Sequence, residues 1–243
     1  MKFELEVIGF DLASCIIAER AGAHRIELCA NPHEGGTTPS LGMIRMARKS
    51  TSIQLFPIIR PRGGDFHYDN MEFLSMIEDI KLCKDEGCDG VVIGMLHKDG
   101  TVDMNACHEL IHHANGMDIT FHRAFDRVKD QADSLEKIIQ LGCKRVLTSG
   151  GFPTASEGKE ELKKLVTQSA DRITIMVGSG VKSSNIEGLQ HFTKARAFHA
   201  SARKSMHSQM HYQRESMKET LDKISIDENE VQLLRKALDS FSN

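Results

Sequence analysis

Residues 8–14 read IGFDLAS, the passage from a first strand-like run into a first helix-like one. In an open doubly wound sheet this is where a dinucleotide-binding G-x-G-x-x-G loop stands, and here Gly9 is alone. Working outward, further apolar or β-branched runs begin at Arg25 (RIELC), Ile53 (IQLFPIIR), Gly90 (GVVIGML), Asp118 (DITFHR), Arg145 (RVLTSG), Ile173 (ITIMVG) and Ala197 (AFHASA). With FELEVIG from Phe3 they number eight, and most are apolar enough to be buried on both faces of a parallel sheet. Helical patterns lie between them. DLASCIIAERAGA carries Asp11 as a cap, SLGMIRMARKS starts at Ser40, and MEFLSMIEDIKLCKDEG and SLEKIIQLG stop at Gly87 and Gly142. Three stretches, AGAHRIEL, EGCDGVVI and LGCKRVLT, share one grammar of helix end, glycine, polar residue and new strand. This alternation, without a Pro/Ser linker or a break in composition, predicts an α/β fold: a single TIM-type (β/α)8 barrel over residues 1–243. Residues 203–243 form a C-terminal extension, a segment at the mouth and a terminal helix, EVQLLRKALDSF.

Composition narrows the function. A net charge of −3 gives no reason to expect nucleic acid, and no apolar run reaches the ~18 residues a membrane helix needs. MKFELEVIGF places two glutamates where a signal peptide has an unbroken apolar core, so a cytoplasmic location is expected. The six cysteines, Cys15, Cys29, Cys83, Cys88, Cys107 and Cys143, include no C-x-x-C pair. They read as reduced, buried thiols.

In such a barrel the carboxyl ends of the strands and the loops after them form the active face. Alternation puts Arg60 with Arg62 on one face of its strand, and likewise Glu4 with Glu6, Glu27 with Cys29, Thr120 with His122, and His199 with Ser201. An inward set of Glu6, Glu27, Arg60, His122 and His199 is either a self-satisfied polar plug or a ligand site; buried charge persists only when paired. In the second reading Glu27 and His122 are the acid/base candidates. Arg60, Arg62, His199, Ser201 and the amides of Gly178, Ser179 and Gly180 are the anion-binding candidates, and Glu6 and Glu27 hold Arg60 from below. Arg62 sits at the rim, with Asp65 capping the turn after Gly63 and Gly64. TSGG (148–151) is a second glycine-rich loop, and EGGTTPS (34–40) a weaker one. In MHSQMH, Met206 with Met210 and His207 with His211 stand at i, i+4. On a helix each pair shares a face, either as soft copper ligands or as a lid over an apolar rim.

The stretches RIELC, EGGTTPSLG, PIIRPRGGDF, TFHRAFD, RVLTSGG and FHASAR, with the opening LEV, resemble the CutC family, in order from one end of the chain nearly to the other. The resemblance implies a TIM-type barrel, a cytoplasmic location, self-association and a role in copper homeostasis with copper binding. It further implies copper-binding cysteines on the first strand and at the end of the second. Cys29 matches the second position, whereas Ile8 stands at the first. Copper and a small anionic, possibly phosphorylated, metabolite are thus the two ligands to weigh, the latter bound either by an enzyme or by a non-catalytic barrel.

Overall fold

The computed structural model describes residues 3–241, so the outermost residues of the expected 1–243 domain lie outside the described residues. Eight parallel strands carry the fold: β1 (Glu4–Gly9), β2 (Arg25–Leu28), β3 (Gln54–Pro57), β4 (Gly90–Ile93), β5 (Asp118–Phe121), β6 (Arg145–Thr148), β7 (Thr174–Val177) and β8 (Ala197–Ala200). Their order is β3-β2-β1-β8-β7-β6-β5-β4. The ring closes between β3 and β4, where Ile58 bridges Val92 and the Ile59 N–H donates to the Val92 carbonyl at 2.8 Å. The expected (β/α)8 barrel is the observed fold.

The helices are α1 (Leu12–Arg20), α2 (Leu41–Ser50), α3 (Asn70–Asp85), α4 (Met104–Ala114), α5 (Gln131–Gln140), α6 (Lys159–Ser169), α7 (Ile186–Thr193) and α8 (Glu228–Asp239). Side-chain oxygens of Asp11, Ser40, Asp69, Asp103, Asp130 and Asp227 accept amides in the first turns of α1 to α5 and α8. The shared turn grammar has one cause. Gly22, Gly87 and Gly142 adopt positive φ, and the next amide reaches back to Ala18, Cys83 or Ile138, closing the helix and launching the strand.

Every strand has an outward side, such as Leu5, Val7, Ile26, Leu28, Phe121 and Phe198, packed in the main core beneath the helices. The terminal helix α8 packs on α1, α7 and β1, so the segment after β8 supplies the eighth helix of the ring. Between β8 and α8 the chain makes an antiparallel hairpin of β9 (Arg203–Met206) and β10 (Lys223–Ile226). No helix among the described residues is long and apolar enough to cross a membrane.

Candidate functional site at the barrel mouth

The register aligns Glu6 with Arg25 and His199, Ile8 with Glu27, and Thr120 with Arg145, so the inward residues form stacked layers. In the lowest, the guanidinium groups of Arg25 and Arg145 lie 5.1 and 5.0 Å from the Phe56 ring centroid. Arg25 donates to Glu4 at 2.6 Å and to Glu6 at 3.3 Å, and Arg145 to Asp118 at 2.8 Å. Above them His199 Nδ1 is 2.8 Å from Glu6, and its Nε2 is 3.7 Å from Glu27.

This layer sets the protonation of the site. Burial pushes the Glu6 carboxyl up, but the His199 hydrogen bond and the Arg25 charge outweigh it and hold Glu6 below the ordinary range. Burial also penalises the His199 cation, yet the Glu6 hydrogen bond and the charges of Glu27 and Glu6 raise it above the ordinary value. Glu27 has the weaker partners. Burial, aided by the Glu6 charge and opposed by His199, the Cys29 thiol and Arg60, pushes it up to about 7. The arrangement favours the ionised form of Glu6 and the charged form of His199, and leaves in Glu27 a carboxyl poised to change charge near neutral pH.

At the carboxyl ends of the strands a cavity of about 310 Å³ opens onto this layer. Its wall includes Glu27, Arg60, His122, Ser179, Gly180, His199 and Ser201, seven of the residues singled out in the sequence. Arg123, Arg203 and Phe66, which sequence reasoning missed, line it too. The amides of Ser179 and Gly180 donate to no other group among the described residues. The Gly178 amide, by contrast, is already used, donating to the Thr148 carbonyl at 2.9 Å. Gly178 lets the backbone pass close to Leu147, whose Cδ1 would lie 2.5 Å from an added Cβ.

Arg60 departs from expectation. Neither Glu6 nor Glu27 holds it; Nη1 donates to the carbonyls of Glu34 and Gly36 at 2.8 and 2.9 Å, and Nη2 to that of Gly64 at 2.9 Å. Arg25, on the same face of β2 as Glu27, takes the role assigned to it beside Glu6. Carbonyls win because Arg60 lies a layer above the acids, among the loops after β2 and β3, whose carbonyls its guanidinium reaches, that of buried Gly36 included. Arg62 is at the rim but not free, donating to Glu72 at 2.6 Å and to Asp65 at 3.1 Å. TSGG is satisfied internally: Asp126 accepts the Ser149 and Gly151 amides, each at 3.0 Å, and the Thr148 hydroxyl at 2.6 Å. Arg123 pairs with the same carboxylate at 2.7 Å.

MHSQMH forms no helix on which its Met and His pairs could share a face. Met206 ends β9 opposite Lys223, and residues 207–211 run on through the exposed hairpin turn, because pairing with residues 223–226 overrides the local i, i+4 pattern. Met206, His207, Met210 and His211 therefore share no helix face. All six cysteines are unbridged and buried. Cys29 packs with Ile8, Phe56 and Ile58, with its thiol pushed well above the ordinary range by burial and by the Glu27 and Glu6 charges.

A family model described as the CutC family matches residues 3–204. A protein of Chromobacterium violaceum described as a family protein CutC is 44% identical over 97% of this chain and 98% of its own length. Its counterpart in Bacteroides thetaiotaomicron is 46% identical over 89% and 87%. Among solved structures, a Streptococcus agalactiae protein described as a candidate copper homeostasis protein, CutC, superposes with a TM-score of 0.78. It is 33% identical, covering 81% of this chain and 97% of that one. A thiamine phosphate pyrophosphorylase from Pyrococcus furiosus, at 15% identity and a TM-score of 0.62, shares the fold.

Proposed function

The chain belongs to the CutC family, and from that premise and the chemistry of the mouth we propose that it binds a small anionic metabolite at the carboxyl end of the barrel. The observation that carries this reading is one cavity walled by Arg60, Arg123 and Arg203 and by Ser179 and Gly180, whose amides have no acceptor among the described residues. At about 310 Å³ it is at the small end of the range for ligand sites, ~300–1,000 Å³. Arg123 is paired with Asp126, but Arg60 and Arg203 meet no carboxylate among the described residues, and against the single wall carboxyl, Glu27, raised to about 7, they leave a positive potential. Glu27, held by His199, is the group placed to move a proton if the bound molecule is turned over. Its partner His199 takes the acid/base role that the sequence suggests for His122, which is buried and neutral. The six buried thiols favour a reducing compartment, in keeping with a cytoplasmic protein.

The test is a thermal melt and calorimetric titration with phosphate, sulfate and short carboxylates at low salt. The parent gains stability from at least one of them, and the Arg123→Gln, Arg203→Gln double variant does not. A parent indifferent to all of them, or a double variant that responds fully, refutes the reading.

A second reading, direct copper binding, draws on the description of the Streptococcus agalactiae relative and on Glu6, Glu27 and His199, whose ligand atoms lie within 4.8 Å of one another. Those are hard oxygen and nitrogen donors already engaged with one another and with Arg25. Cu(I) calls for thiolate or thioether. Cys29 is a lone, protonated thiol beside Ile8, and Met206 and Met210 sit on the exposed hairpin, so the soft donor set does not fit. Copper titration of the parent and of Cys29→Ser, followed by the thiolate charge-transfer band and by bound-metal analysis, separates the two readings. Stoichiometric copper lost in Cys29→Ser would favour the second.

A further inference from the structure

His122 directly follows β5, and the chain turns there into one 3₁₀ turn (Arg123–Arg127). Its Nδ1 accepts the Ala124 amide at 3.2 Å. A neutral imidazole with one nitrogen accepting carries its proton on the other, so Nε2 is the N–H. That N–H is buried and has no acceptor among the described residues, although His122 lines the mouth. Buried polar atoms in folded proteins nearly always have a partner, so an orphan in a cavity wall marks the place of one.

The ring is closely packed. On one side Gly94 presses so close that an added Cβ would lie 2.6 Å from Cε1 and Nδ1. The Phe66 ring also packs on it, 4.9 Å away centroid to centroid, and the Arg60 guanidinium covers the same phenyl ring at 4.9 Å. Burial first, and then the Arg60 charge, hold the imidazole down to about 3, so it stays neutral throughout the physiological range. It is a fixed uncharged donor in a wall otherwise furnished with cations.

The two kinds of donor are separated. Ser179 and Gly180 follow β7, and Arg203 follows β8, whereas His122 follows β5, two and three strands away around the ring. Resting on the anion-binding reading above, we propose that the mouth takes a two-ended ligand. A phosphoryl group lies at Ser179, Gly180 and Arg203, and a carbonyl or carboxylate oxygen, a short carbon spacer away, accepts the Nε2–H of His122. His122 is then the specificity-determining residue, selecting phosphorylated small acids and carbonyl compounds over inorganic phosphate.

Calorimetry with 2-phosphoglycolate and inorganic phosphate tests this on the full chain. The parent binds 2-phosphoglycolate about tenfold or more tighter than phosphate, the scale of one buried hydrogen bond to an anionic oxygen. In His122→Ala the preference falls to within about twofold, and Gly94→Ala, which displaces the ring, reduces it as well. Nitrogen-15 spectra of the histidine-labelled parent need no variant. His122 keeps the Nε2–H tautomer from about pH 5 to about pH 9, and its Nε2 resonance moves on addition of 2-phosphoglycolate but not of phosphate. A parent that binds phosphate without preference overturns the two-ended ligand while leaving anion binding intact. So does a preference that survives in His122→Ala, or a His122 that titrates near its ordinary value. A parent that binds neither ligand overturns both.

Discussion

Arg60 and Gly64, four residues apart in one loop, are joined by a 2.9 Å hydrogen bond from Nη2 to the carbonyl. The other arm of the same guanidinium bonds Glu34 and Gly36 in the loop after β2. Arg60 is thus a clasp for two loops of the mouth, and its charge enters the cavity wall as a by-product of that work.

Arg60→Ala removes three bonds to carbonyls, and that of Gly36 belongs to a buried residue. At ~1.5–3 kcal/mol for each charge-assisted bond, less than additive, the loss is about 3 kcal/mol or more in urea unfolding. Arg62→Ala removes ion pairs to Glu72 and Asp65, bonds to the carbonyls of Gly63 and His67 and a stack on Tyr68, but all from a side chain that is 40% exposed, for about 1 kcal/mol. Equal losses in the two variants would refute the difference in role.

Stability falls as pH rises through the neutral range. Glu27 binds its proton to about pH 7 in the folded chain but only to its ordinary 4.5 when unfolded, so the folded state holds more protons across that window. The difference corresponds to about 3 kcal/mol lost between those limits. His199, also raised, adds to the loss on the alkaline side, whereas Glu6, held low, opposes it only at acid pH. Urea melts of Glu27→Gln from pH 5 to 8 therefore show a much flatter profile than the parent. A parent profile that rises over this range would be the contrary result.

Asp126→Asn weakens the acceptor of two amides, a hydroxyl and Arg123 together. We expect a loss of about 2–3 kcal/mol and faster hydrogen exchange at Ser149 and Gly151 than at strand amides of β6. Unchanged exchange at those amides would show that Asp126 does not hold the loop.

All six thiols are shielded. A thiol reagent finds almost none in the native protein and six after denaturation without reductant. Fewer than six in denaturant would reveal a bridge, and rapid native labelling at Cys29 would show that its burial is incomplete.

Strand order and inward parity were legible because period 2 is a local property, and each of Glu6, Glu27, Arg60, His122 and His199 falls inside the barrel. The pairing was not. Which acid meets which arginine depends on the layer each occupies, and layer follows from stagger between strands. The same parity that points Glu27 inward also points Arg25 and Arg145 inward, so that signal was present and unread. Arg123 carried no such signal, since it stands where β5 has already given way to a 3₁₀ turn. MHSQMH misled for a related reason: its partners lie in residues 223–226, far along the chain, and no local period reports a hairpin that wide. Helices α6 and α7 begin at Gly158 and Asn185 without a side-chain cap bond, so little marks their starts.

The Arg60 clasp also changes what counts as a replaceable part. Thr38 exchanges two hydrogen bonds with the Arg60 backbone, from the Arg60 N–H to Oγ1 and from its own N–H to the Arg60 carbonyl, both at 2.9 Å. Residues 29–38 and 60–68 therefore behave as one cassette although β3 separates them in the chain. Anyone redesigning this mouth, or grafting it onto another barrel, must exchange both segments together. A transplant of either alone would arrive without its other half, as a buried cation lacking its carbonyls or as carbonyls lacking their cation.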